Sequence, residues 1–132
     1  MTLPVDIRAY NDAQSSEYLA ICDSVADLIA KVLPQAEGKV WHGHPVWFID
    51  QNPVVGYSIK KAGVQALFWS GQSFSKAGLS ALGKFKAASF DVKNTDALAA
   101  VGFEDWLLEA AAIQWNYKDL PKKKALEPLF VI

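Results

Sequence analysis

"WHGHPVWFIDQNPVVGYSIKKAGVQALFWS", residues 41–70, decides how this chain is read. Short apolar and aromatic runs alternate with turn residues, the pattern of strands joined by tight connections. Strands are expected over residues 38–42, 46–50, 54–60 and 64–70. A fifth is expected over 85–91, within "KFKAASFDV". "DQNP" (50–53) and "KKAG" (60–63) are turns between them. In "VVGYSIK", Val55, Tyr57 and Ile59 share one face by the two-residue period of a strand. "VQALFWS" is apolar on both faces and therefore reads as a central strand. The connections are too short for helical crossovers, so the sheet should be largely antiparallel.

Helical patterns flank this region. Tyr18, Ile21, Cys22, Val25, Leu28, Ile29 and Val32 follow helical spacing, which predicts a helix over 13–33. Asp12 or Ser15 would cap it, and Pro34 would end it. Glu17, Asp23, Asp27 and Lys31 fall off the apolar stripe, as a solvated face would. "GQSFSKAGLSALG" (71–83) is expected to be a loop with one helical turn near 76–82. Helices are expected within 95–117: one opening after Asn94 or Thr95, then, past Gly102, a stronger one spanning 103–117. Residues 118–132 form a tail with two prolines, whose apolar end (129–132) should dock rather than float. The order helix, strands, helices predicts a single α+β domain. A mainly antiparallel sheet of about five strands would carry the N-terminal and C-terminal helices on one face.

With 132 residues, 52% of them hydrophobic, the chain can bury a core without cross-links. The single cysteine, Cys22, falls on the apolar side of the first helix, where it reads as a small core residue. The absence of a disulfide-capable pair fits a reducing compartment. The N-terminal residues do not resemble a signal peptide, and no run approaches the ~20 apolar residues of a membrane helix. A cytoplasmic protein is expected. The net charge of -1 points neither to nucleic acid nor to a membrane as partner. "PKKK" (121–124) reads as a solvated basic turn.

Several positions together resemble the YdhG-like bacterial domains of unknown function. They are Trp41, Gly43, Pro45, Trp47 and Phe48, then Gly56 with Tyr57, the run from Phe68 to Gly71, and Gly83 with Lys84. The likeness extends to "WLLEAAAIQWNYKDLPKKK" (106–124) and covers most of the chain. It implies a curved antiparallel sheet backed by helices. Some members of that family are described as frataxin-like iron chaperones, in which iron delivery is attributed to clustered surface carboxylates. Here Glu17, Asp23 and Asp27 are scattered on the first helix.

His42 and His44 are the first candidates for chemistry. In an extended segment, residues i and i+2 point the same way, so the two imidazoles could share a metal. Glu37 and Asp50 are the nearest further ligands, without signature spacing. No nucleophile with a recognisable elbow is present, so enzymatic use of His42 or His44 as a base ranks last. Trp41, Trp47, Phe48, Tyr57, Phe68, Trp69 and Phe74 exceed what one sheet face needs, and some should line an open groove on the other. "SGQS" (70–73) with Gly83 and Lys84 could hold an anion through backbone N–H groups. The reading that results is a non-enzymatic binding domain with ligand-binding residues His42, His44, Trp47, Tyr57, Trp69 and Lys84. Its partner would be a small molecule or a protein, a second copy of the chain included. No cofactor is expected, and iron or another divalent metal at His42 and His44 is the alternative.

Overall fold

The computed structural model describes residues 3–61, 63–123 and 126–130. It contains a six-stranded sheet in the order β1-β2-β3-β4-β6-β5, every pairing antiparallel. The strands are β1 (Glu37–Trp41), β2 (His44–Ile49), β3 (Asn52–Lys60), β4 (Gly63–Phe68), β5 (Ser80–Ala81) and β6 (Ala88–Val92). The five longer strands are those expected from the sequence, and β4 lies inside the sheet, between β3 and β6. The helices are α1 (Val5–Asp12), α2 (Ser16–Val32), α3 (Asp96–Ala100), α4 (Phe103–Ala112) and the short α5 (Leu120–Lys123). The class is α+β, as the pattern implied. Among the described residues, no helix is long and apolar enough to cross a membrane.

The hairpins follow from local backbone chemistry. Trp41 pairs with His44, so only His42 and Gly43 connect β1 and β2. Both have positive φ, 52° and 86°, as the tight primed turn between twisted strands requires. Asp50 and Gln51 (48° and 70°) make a turn of the same kind between β2 and β3. His42 therefore belongs to a turn, not to the strand expected over 38–42. Asn52 and Pro53 likewise belong to β3 rather than to the expected turn.

One layer of helices covers one face of the sheet. Ile7, Ile21, Cys22, Val25, Ile29, Phe103, Trp106 and Leu107 share a buried cluster with Trp47, Val55, Tyr57, Ala66 and Phe68. α1 packs on β1 and β2, α2 on β4 and α4, and α4 on β3. Ser15 caps α2, its Oγ accepting from the Tyr18 amide at 3.3 Å. Asn94 Oδ1 accepts from the Ala97 amide at 2.9 Å before α3.

Three expectations are corrected. The helix expected over 13–33 is α2, but a separate helix before it, α1, was not foreseen, because only Ile7 and Asn11 are buried along it and one of them is polar. The helix expected over 103–117 stops at Ala112, and Ile113 is already extended. There Gln114 Nε2 donates to the Ala111 carbonyl, satisfying one of the groups a helix end leaves open. Gln114 and Trp115 instead form β7, which pairs with β8 (Pro128–Phe130). In 71–83, the helical turn is a 3-10 turn at Gly71–Ser73, and Ser80–Ala81 is the edge strand β5. Part of the expected apolar docking segment is β8, while residues 131–132 lie outside the described residues.

Candidate functional site

The sheet has two unlike faces, and of the six residues expected at the site four are divided between them, while His42 lies in a turn and Lys84 on a loop. Trp47 and Tyr57 point into the helix-covered face and are 2% and 1% exposed. Their rings lie 5.9 Å apart. Tyr57 donates its hydroxyl to Asn11 Oδ1 at 2.6 Å. Asn11 Nδ2 donates to Asp23 Oδ1, and Arg8 Nη2 donates to the same oxygen. This chain of bonds ties α1, α2 and β3 together. Burial raises the Tyr57 pKa, so the phenol stays neutral. Both residues are core, not ligand-binding surface. Asp23 is correspondingly not a free solvated acid.

His44, Trp69 and Trp41 belong to the opposite face. Trp41 touches Phe48 edge-on at 5.4 Å between centroids and approaches Trp69 at 6.4 Å. Gly56 opens this floor: a Cβ there would sit 2.5 Å from the Pro45 carbonyl oxygen. His42 is exposed in its turn, with its ring 4.2 Å from that of Trp41. His44 pairs across the ladder with Trp41 rather than pointing alongside His42 as strand periodicity would have it. Its pKa is lowered, first by burial, then by the charges of Lys60 and His42, against an opposing contribution from the Pro45 backbone. Its Nδ1 is shielded from solvent and has no hydrogen-bond partner. Among the described residues, no three His, Cys, Asp or Glu side chains converge as a metal-holding group.

Lys84 is exposed on the loop before β6, over the Phe85 ring at 5.3 Å. The segment 70–73 does not offer an anion cradle. The Gln72, Ser73 and Phe74 amides already donate to Lys86, Ser70 and Gly71 carbonyls. Ser70 Oγ accepts from the Trp115 amide, and Ser73 Oγ accepts from Trp115 Nε1, both at 2.9 Å.

Sequence reasoning missed the residues that build the outer wall of the groove. Asn52, fully buried, donates through Nδ2 to Gln114 Oε1 and to the Trp115 carbonyl, each at 3.0 Å. Its Oδ1 accepts from the Lys118 amide at 3.0 Å. This clasp brings Tyr117, Lys118 and Pro121 opposite Trp41, Phe48 and Pro53, around a groove of about 430 Å³. Glu37 and Lys39 complete its rim, and Lys39 Nζ lies 4.8 Å from the Phe48 ring centre. Tyr117 accepts from the Lys86 amide at 3.1 Å and meets Phe85 edge-on at 6.5 Å. The paired polar side chains Asn52 and Gln114 carry no sequence signature, because they are 62 residues apart.

Charge is unevenly divided between the segments of the chain. Residues 3–33 and 94–113, which hold α1 to α4, carry nine carboxylates against Arg8 and Lys31. The rest of the chain carries eleven lysines against Glu37, Asp50, Asp91, Asp119 and Glu127. The near-zero total conceals acidic helical segments and a basic remainder, of which Lys76 pairs with Asp105 of α4 and Lys93 lies by Glu17 of α2, while Lys39 and Lys118 stand at the groove. No family model matches the chain, and no curated protein or solved structure matches it either.

Proposed function

We propose that this chain is a non-enzymatic binding domain whose groove on the open sheet face takes a flat, largely apolar group. The observation that carries this reading is the meeting of Trp41, Phe48, Pro53 and Tyr117 around one groove, outside the core that Trp47, Tyr57, Phe68, Phe103 and Trp106 build. Its volume falls within the roughly 300–1,000 Å³ of ordinary ligand pockets. Proline and aromatic walls suit a ring held by stacking, and Lys39 and Lys118 at the rim suit a negative group on it. The test is a titration with 2-naphthoate and indole-3-acetate followed by protein NMR. Shifts confined to Trp41, Phe48 and Tyr117, lost in Trp41→Ala and Tyr117→Ala while the fold persists, are expected. Saturable shifts in neither titration would sink the reading.

A metal-handling role is the second reading. It is supported by the resemblance to YdhG-like domains, some described as frataxin-like, and by the concentration of carboxylates in the helical layer. Thermal unfolding with Fe²⁺ under anaerobic conditions separates its two forms, since a ligand of the folded state raises the midpoint. A shift lost in His44→Ala assigns the metal to the imidazoles, and one that survives His42→Ala and His44→Ala assigns it to carboxylates.

A further inference from the structure

We infer that the basic side of the molecule binds single-stranded nucleic acid, with bases stacking on the groove aromatics and on Phe85 and the backbone following the lysines around them. The inference deepens the groove reading by naming the class of partner, and it rests on that reading for the innermost base.

Three lysines sit on aromatic rings over a continuous surface. Lys39 lies over Phe48, Lys84 over Phe85, and Lys86 over Trp115 at 4.8 Å. Tyr117 links the parts: it lines the groove, accepts from the Lys86 amide and meets the Phe85 ring. Phe85 is 39% exposed, one of the few large apolar side chains left to solvent among the described residues. The KFK tripeptide (84–86) thus continues the groove outward as a second platform.

Charge complementarity selects a polyanion. Lys39, Lys84, Lys86 and Lys122 form no ion pair with another described residue. Lys118 is paired with Asp119, and Glu37 stands at the rim as the opposing charge. The carboxylates of the chain lie mostly in the helical layer, on the other face of the sheet. Rings interleaved with lysines are what unpaired bases use, because every base has a stacking face and every phosphate a charge. Duplex fits poorly. Its bases are already stacked, and the long helices belong to the acidic layer, so none is offered to a major groove.

The experiment is fluorescence anisotropy of labelled oligo(dT) and oligo(U) with the full chain, titrated at increasing salt. Binding that weakens linearly on a logarithmic salt scale is expected. Phe85→Ala should weaken it about tenfold, within the range of one lost base stack. Lys84→Glu with Lys86→Glu should weaken it further and flatten the salt dependence. Lys31→Glu, in the helical layer, should leave it unchanged. Three results would overturn the inference: no binding at low ionic strength, equal binding of a duplex or of polyglutamate, or indifference to Phe85→Ala. If oligonucleotides fail while 2-naphthoate still shifts Trp41, the nucleic-acid partner falls and the groove stands. If neither binds, both fall.

Discussion

Tyr57 is buried with one hydrogen-bond partner, Asn11, which itself leans on Asp23 and Arg8. Removing the hydroxyl in Tyr57→Phe leaves Asn11 Oδ1 without its donor inside the core, at a cost of about 1–3 kcal/mol. Urea denaturation should report that loss, while 2-naphthoate binding on the opposite face stays unchanged. At His44 the expected effect is one of pH. Its folded pKa lies below the ordinary 6.5, chiefly through burial, so the unfolded chain takes up the proton first. The stability contributed by neutral His44 is present above 6.5 and declines as pH falls from there toward the folded value. His44→Gln should flatten that part of a stability-against-pH curve, and an unchanged slope would refute the assignment. Glu109 behaves in the usual acid sense. Burial raises its pKa, but bonds from the Ser75 hydroxyl and the Ser75 and Lys76 amides outweigh it, so it is held low in the fold. Single residues were only partly legible in the sequence. Cys22 is buried as its helical spacing implied, and burial pushes its thiol up to about 12. Trp47 and Tyr57 looked like groove residues because alternation shows that faces differ, not which one the helices cover.

At the scale of elements, the hairpins carry a visible local cost. Gln51 holds φ at 70° without being glycine, in a conformation that costs a side-chain-bearing residue roughly 1–2 kcal/mol. Gln51→Gly should therefore raise the thermal midpoint, as calorimetry would show. The Asn52 clasp acts in the opposite direction. Asn52→Ala strands Gln114, the Trp115 carbonyl and the Lys118 amide, each a loss of about 1–3 kcal/mol if left unmet. Partial relaxation should bring the total to the order of 3 kcal/mol. Amide exchange at Trp115 and Lys118 should accelerate more than in β3, and groove binding should weaken because one wall is no longer held. Elements with their own signal were read correctly: the five longer strands from alternation and turns, and α2 from seven apolar positions on one stripe. The elements that depend on distant partners were not. α1 is held by Ile7 and Asn11 against the core, and its Asp6 accepts the Val40 amide at 2.7 Å. The end of α4 is set by Gln114 and Asn52, which no window along the chain brings together.

For the molecule as a whole, the division into an acidic helical layer and a basic sheet-and-tail side matters more than the total charge. A count along the chain gives -1 and points away from polyanions, and only the fold shows that Lys39 and Lys118 gather at one groove while nine carboxylates belong to the helical segments. That is why composition could describe the domain class yet miss the surface on which partner binding is proposed. The same unevenness gives the protein a dipole. On ion-exchange columns near its pI of about 6.1, such a molecule should be retained by both an anionic and a cationic resin at low salt, each gripping a different side. A uniformly mixed surface of the same composition would pass through both.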